Sequence, residues 1–378
     1  MAVDAESQQV HLDKDVQQHG DSVWLHDQHM LNVITHSGDI CTVSTSEHLM
    51  VGDEVTQRIF LTGVSEILQA FEAHWTPRWS ILAQIPPADW QRIVDFAGHN
   101  MPSFNFQWEV LSLTRWRAMI RKFKRKAARG PDGFSGEDLK HMPDGYAQPL
   151  LDLLQSIEQE DTAWPQQLAF GTVIGLSKQD GAHEEGHFRP ITLFPTIYRA
   201  WARLRTKQMI LQMSKYIPPE ALGFLPQRET TEVWMMLQAQ IELMVQMHMD
   251  YAGLSTDLKR AFNHIGRNQV LLIARHVGLP HQLLRPWQKF LNTFVRRFDV
   301  HGCLGTALTS SSGFPEGCPL SILAMLNVNW CYHIYMRALC QTVFANSLED
   351  NLTLAARDAH AVIHAFIALQ SDCLLFGL

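Results

Sequence analysis

Two carboxylates and one loop are where this sequence could do chemistry. Asp257 closes an apolar, strand-like stretch in LSTDLKRAFNHI. A carboxylate at a strand end can face a cation at a sheet edge, although its ordinary role there is to cap the next turn. Asp350, in FANSLEDNLTL, lies between two segments that read as short strands. In a hairpin, period-two alternation sends Asp350 to one side and Glu349 and Asn351 to the other; taken alone, the stretch also reads as a solvated turn. The loop is Gly313-Phe314-Pro315-Glu316-Gly317-Cys318-Pro319-Leu320-Ser321. Its glycines and prolines make a rigid backbone with little bulk. An ordinary loop can look like this, and so can one that lets another chain approach closely. Together the three sites suggest phosphoryl transfer. That chemistry needs carboxylates from separate strands converging on cations roughly 3.5–4 Å apart, and Asp257 and Asp350 on neighbouring strands would serve.

Phosphate chemistry also needs cations. The net charge of -7 argues mildly against a nucleic-acid binder. The basic residues are nonetheless concentrated in one stretch, from Arg115 and Arg117 to Arg121, Lys122, Lys124, Arg125, Lys126 and Arg129. Ser112 to Ala128 reads as an amphipathic helix with Leu113, Trp116, Ile120 and Phe123 on its apolar face. Arg121, Lys122, Lys124, Arg125, Lys126 and Arg129 are then expected to meet nucleic-acid phosphates. Gly130-Pro131-Asp132-Gly133 stops the helix. Other chemistries have less support. The six cysteines form no CxxC pair, which leaves a zinc knuckle or redox motif without a basis. The N-terminus lacks the apolar core of a signal peptide, and no apolar run approaches the roughly 18 residues of a membrane span. An intracellular protein with reduced thiols and no membrane partner is expected.

The elements that must position these groups are read from periodicity. At 46% hydrophobic residues, the 378-residue chain can build a large core. Helices are expected near 59–75, 89–97, 112–128, 146–159, 198–216, 231–247, 267–277, 282–294, 322–339 and 355–375. Strands are expected at 171–177 and 251–257, in a hairpin at 300–305 and 307–311, and on either side of Glu349-Asp350. Strands scattered among helices imply an α+β fold. Residues 1 to about 55 show no sustained period. Residues 1–111 are taken as an N-terminal extension and linker, partly irregular, with 61–79 as linker.

The order of the motifs resembles the reverse transcriptases of LINE-type, non-long-terminal-repeat retroelements. KAARGPDGFS (126–135) is similar to their Lys-Ala-Pro-Gly-Pro-Asp-Gly pattern in the fingers. VIGLSK (173–178), RPITL (189–193) with Tyr198-Arg199, and GFLPQRETTE (223–232) resemble the fingers motifs that follow. STDLKRAFNHI (255–265), GFPEGCPLS (313–321) and EDNLTL (349–354) resemble palm motifs A, B and C. The resemblance implies a right-hand polymerase with fingers from about 112–250 and a palm mainly at 251–378, its antiparallel sheet backed by helices. The implied activity is RNA-directed DNA polymerisation from dNTPs on a primed RNA or DNA template. Carried over, Asp257 and Asp350 bind two Mg²⁺ ions, with Mn²⁺ as a substitute, and the Leu258 carbonyl touches one ion. Phe262 is the steric gate against a ribose 2′-OH. Lys178 and Arg189 grip the triphosphate. Gly313, Pro315, Glu316 and Gly317 pack against the nucleotide and the templating base.

The sequence departs from the pattern in motif C, where Leu348 replaces an aromatic, Glu349 a small apolar residue and Asn351 the second Asp. Glu316 stands for the commoner Gln, and Asn263 for the final Asp of motif A. The chain ends at Leu378, about one helix after motif C, so the thumb that clamps primer-template is expected to be absent. The alternative to an active polymerase is a retroelement remnant that at most binds nucleic acid. Retroelement biology, rather than any signal in the chain, implies a nuclear location.

Overall fold

The computed structural model describes six strand segments between residues 2 and 56, and then residues 63–84, 95–96, 98–125, 127–160, 162–178, 184–258 and 260–376. The chain divides into two compact units, Met1–Ile67 and Leu68–Leu378. The first holds β1 (Ala2–Asp4), β2 (Gln9–His11), β3 (Ser22–Leu25), β4 (Met30–Ser37), β5 (Ile40–Ser44) and β6 (Val55–Thr56). They form an antiparallel sheet in the order β1-β2-β5-β4-β3-β6. An irregular extension was the expectation for this region. Most of its strands are too short for a period to emerge from the sequence.

The larger unit mixes helices and sheets, as an α+β fold requires. Its strands are β7 (Phe170–Ser177), β8 (Phe188–Leu193), β9 (Ala252–Asp257), β10 (Val295–Val300), β11 (Cys303–Leu304), β12 (Phe344–Leu348) and β13 (Asn351–Ala356). One sheet has the order β11-β10-β7-β8, and β10 runs parallel to β7. The other, β12-β13-β9, is antiparallel throughout. A boundary at 251 therefore does not separate the sheets, because β10 and β11 join the earlier strand β7. The expected hairpin at 300–305 and 307–311 begins earlier, at Val295, and Leu308 contributes a single bridge to Arg296.

The helices are α1 (Val64–Trp75), α2 (Leu113–Ile120), α3 (Gly136–His141), α4 (Asp144–Gln159), α5 (Thr196–Met213), α6 (Thr230–Gln246), α7 (Ala261–His264), α8 (Arg267–His276), α9 (His281–Thr293), α10 (Ser321–Leu339) and α11 (Ala359–Phe376). No helix among the described residues is long and apolar enough to cross a membrane. The main core joins α2, α4, α5, α8, α9 and α10 through buried residues such as Trp116, Leu154, Trp201, Val270, Trp287 and Leu326. Each large apolar side chain buried there contributes roughly 1.5–3 kcal/mol. Tyr198 stacks on Phe290 with ring centroids 3.8 Å apart, which ties α5 to α9. A second cluster, including Tyr332, Leu352, Leu354, Ala365 and Leu369, backs the antiparallel sheet with α10 and α11.

Two expectations are corrected here. The helix at 112–128 stops at Ile120. Ser112 caps it by accepting from the Arg115 N–H, and tight turns follow as Lys122 and Phe123 donate to Met119 and Ile120. Those turns bring Phe123 back into the core against Gly136, where even a Cβ would lie 2.8 Å from that of Phe123. The apolar spacing that suggested a long helix is thus met by a short helix and a turn. The basic residues ride on the turn and loop instead of on a helix face. The second correction concerns 61–79. Its residues 68–79 fall in the larger unit, where Trp75 and Trp79 are each 1% exposed and Trp79 stacks on Phe298 of β10, so this part packs into the core instead of linking.

Behind the β12–β13 hairpin, His333 on α10 is buried with Nε2 2.9 Å from the Ser347 hydroxyl. Burial pulls its pKa down to about 4, with Glu220 opposing and Arg337 assisting. The unfolded chain protonates this residue near 6.5 while the folded chain refuses the proton. Stability should therefore fall as pH drops from 6.5 toward 4, by roughly 3 kcal/mol at the bottom of that window. Urea unfolding across this range should show the slope, and His333→Gln should flatten it.

Candidate active site

The antiparallel register of β9 and β13 sets Asn351 opposite Asp257. Strands β12 and β13 are joined by a two-residue loop, Glu349-Asp350. Both residues therefore occupy the loop and do not alternate as strand residues would. Glu349 takes a left-handed φ of 58°, a conformation that costs a non-glycine residue roughly 1–2 kcal/mol. Neighbours hold it there. Asn329 Nδ2 donates to the Glu349 carbonyl at 3.0 Å, and the Leu258 N–H donates to the Asp350 carbonyl at 3.0 Å. Gly223 presses on the same turn, where an added Cβ would lie 2.4 Å from the Glu349 nitrogen. Gly223→Ala should therefore lower stability by about 1–3 kcal/mol in urea unfolding. Gly145→Ala, where a Cβ meets nothing within 4 Å, should not.

Asp257 and Asp350 both line a cleft of about 910 Å³. Asp257 is exposed and Asp350 half-buried. Burial is the main cause pushing the Asp350 carboxyl up; the charge of Asp257 adds to this, against a local backbone hydrogen bond and Arg189. Two carboxylates repelling one another beside a cleft are what a divalent cation would relieve. Their hard oxygens suit Mg²⁺, which commonly takes one or two carboxylates and completes its shell with water and substrate phosphate. Among the described residues no group of three His, Cys, Asp or Glu side chains could hold a metal. The Leu258 carbonyl accepts from the Ala261 N–H at 3.2 Å and keeps a second lone pair. Asn351 Nδ2 lies 3.4 Å from Asp350 Oδ1, so this amide faces the neighbouring carboxylate with a donor.

Lys178, Arg189, Phe262, Glu316 and Gly317 line the same cleft. Lys178 Nζ donates to the Gly186 carbonyl at 2.9 Å. Burial lowers its pKa and Arg260 lowers it further, Glu316 opposes, and Arg189 adds to the lowering. Phe262 meets Phe224 edge-on, with centroids 6.3 Å apart. Gly313 and Pro315 are buried and do not line the cleft. Gly313 has φ 70°, and a Cβ on it would lie 2.3 Å from the Asn263 carbonyl. Pro315 offers its carbonyl to the Ser321 hydroxyl at 3.0 Å. Both shape the loop from within the core.

The expected basic residues Arg121, Lys122, Lys124, Arg125 and Arg129 are exposed but do not line the cleft. Arg129 is engaged by the Gly133 carbonyl and, at 3.5 Å, by Asp138. Lys126 lies outside the described residues. Sequence reasoning missed Arg203 and Lys207, which line the cleft from α5. Their only signal was a basic pair at i, i+4. Lys207 is held below its usual pKa by Lys122, so the cationic wall of the cleft abuts the basic turn.

The family described as reverse transcriptase (RNA-dependent DNA polymerase) matches residues 176–371, more than half of the chain. No curated protein matches the chain.

Proposed function

The chain belongs to the reverse transcriptase family, and on that premise we propose that it is an RNA-directed DNA polymerase of a LINE-type retroelement. The family itself implies binding of a nucleic-acid template and primer and of dNTPs. The observation that supports catalysis best is the meeting of Asp257 and Asp350 at the end of one antiparallel sheet, beside a cleft lined with cations. In this reading β9, β12 and β13 with α10 and α11 are the palm, and the helices and strands around β7 and β8 are the fingers.

Asp257 and Asp350, with the Leu258 carbonyl, would hold Mg²⁺ or Mn²⁺. A bound divalent ion makes the primer hydroxyl a better nucleophile and offsets charge on the phosphoryl oxygens. The chain's own residues bind and orient. Arg189 and Lys178 meet the triphosphate, Arg with a planar fork that suits phosphate oxygens. Arg203 and Lys207, continued by Lys122 and Arg121, hold the template backbone without reading its sequence. Phe262 walls the sugar side of the cleft and excludes a 2′-hydroxyl by contact.

That last role yields a test. Phe262→Ala should lower the preference for dNTP over rNTP by roughly 10–200-fold, the discrimination that steric pocket contacts supply. The measurement is the ratio of kcat/KM for dTTP and UTP on one RNA template. An unchanged ratio would remove Phe262 from the sugar side of the site.

A further inference from the structure

Trp79, Asn263 and Glu316 come from three separated parts of the chain and form one chain of hydrogen bonds. The Trp79 indole N–H donates to Asn263 Oδ1 at 2.9 Å, and Asn263 Nδ2 donates to Glu316 Oε1 at 2.6 Å. An indole N–H can only donate and an ionised carboxylate can only accept, so both neighbours require the same orientation of the Asn263 amide. Asn263 is 3% exposed and Trp79 1%. Other contacts fix the two ends. Trp79 is stacked against Phe298 and lies under the Arg296 guanidinium, 3.3 Å from the ring centroid. At the other end, the Glu316 carbonyl accepts from the Thr192 N–H of β8 at 2.8 Å.

Glu316 lines the cleft among cations. The groups that face it are Arg189 on β8, Lys178 after β7 and Arg296 on β10. A carboxylate beside Lys178 and Arg189 opposes the approach of another anion to the same pair. Residues 263 and 316 are also two positions where the sequence departs from the pattern it resembles, with Asn for Asp and Glu for Gln. The structure shows them bonded to each other. Relative to that pattern the carboxylate and the amide have exchanged places, and in this chain the two bond to each other.

We propose that the Trp79–Asn263–Glu316 relay is a positioning device that holds one carboxylate on the nucleotide side of the cleft, and that this carboxylate sets triphosphate affinity through Lys178 and Arg189. The proposal rests on the polymerase reading for the identity of the ligand, a nucleoside triphosphate. It makes Trp79 and the segment around it part of the site's support, and makes Asn263 and Glu316 a matched pair.

A double-mutant cycle on the full chain tests it. Glu316→Gln removes the opposing charge and should lower KM for dNTP about threefold or more, with kcat changed less than twofold. Asn263→Asp sets two carboxylates against each other. It should raise KM at least tenfold and lower the melting temperature. The double variant N263D/E316Q restores one carboxylate bonded to one amide. It should bring the melting temperature back to near the parent value, while KM stays at or below that of Glu316→Gln because position 316 again carries no charge, so the single effects should not add. Additive effects, or an unchanged or raised KM in Glu316→Gln, would overturn the proposal. Binding of dTTP with Mg²⁺, followed by tryptophan fluorescence, reads the same cycle without turnover. The pattern of affinities in a protein that extends no primer would sink the polymerase reading and keep the relay. Loss of the pattern in an active polymerase would do the opposite.

Discussion

Asp257→Ala should abolish primer extension, lowering the rate at least about a thousand-fold. Charge stabilisation by a bound metal is worth several kcal/mol, and ~4 kcal/mol corresponds to three orders of magnitude. The expected loss is catalytic and not structural. Asp257 is exposed at the end of β9, and the backbone pairing of that strand with β13 does not use its side chain. An exposed substitution of this kind usually shifts stability by no more than about 0.5 kcal/mol. The variant should melt with the parent protein and still bind template-primer, since the cationic residues are untouched. Extension at more than a tenth of the parent rate would place the chemistry elsewhere.

Glu158→Ala should cost about 3–5 kcal/mol of stability, the largest effect expected from a substitution far from the cleft. Glu158 on α4 and Arg205 on α5 are 1% and 0% exposed and pair at 2.6 Å. Arg205 Nε and Nη2 reach the two carboxylate oxygens at 2.7 and 2.6 Å, and the Trp201 indole adds a third donor at 2.7 Å. Nη1 of the same guanidinium donates to the Glu109 carbonyl at 2.6 Å, and its plane lies over Trp108. Burial pushes the Glu158 carboxyl up and the Arg205 guanidinium down, and the hydrogen bonds between them oppose both shifts. Removing the carboxylate leaves a buried guanidinium with neutral partners only. Replacing both partners together, as in Glu158→Leu with Arg205→Met, should cost much less, because no charge is then stranded. Urea unfolding of the three variants checks this. A single-variant loss below 1 kcal/mol would show that water reaches the pair.

The readable parts of this protein were those whose chemistry is local in sequence. The two-residue turn between β12 and β13 follows from short β-rich segments flanking Glu349-Asp350, and Asp257 at the end of β9 follows from an apolar run closed by a carboxylate. Strand β8 was not foreseen, because Pro190 argues against a strand. It is tolerated here because β8 is an edge strand. The helix at 112–128 was overread because Phe123 reaches the core from a turn, and helical spacing alone cannot tell a turn from another helical residue. Trp75 and Trp79 looked like linker because the residues they meet, Arg260 over Trp75 and Phe298 and Asn263 at Trp79, lie about two hundred residues away. The Glu158–Arg205 pair was invisible for the same reason, as charged residues on helices ordinarily face water. The resemblance placed Gly313 and Pro315 against the nucleotide, and the Gly/Pro composition by itself suggested only a close approach. Gly313 does approach another segment closely, the backbone of Asn263.

Templated single-nucleotide addition tests the polymerase assignment at its root. The full chain is given a DNA primer annealed to RNA, Mg²⁺ and one dNTP at a time. Only the dNTP complementary to the next template base should be added, and changing that base should change which dNTP is used. Failure of a folded, template-binding protein to add any nucleotide, or addition that ignores the template base, would contradict that assignment.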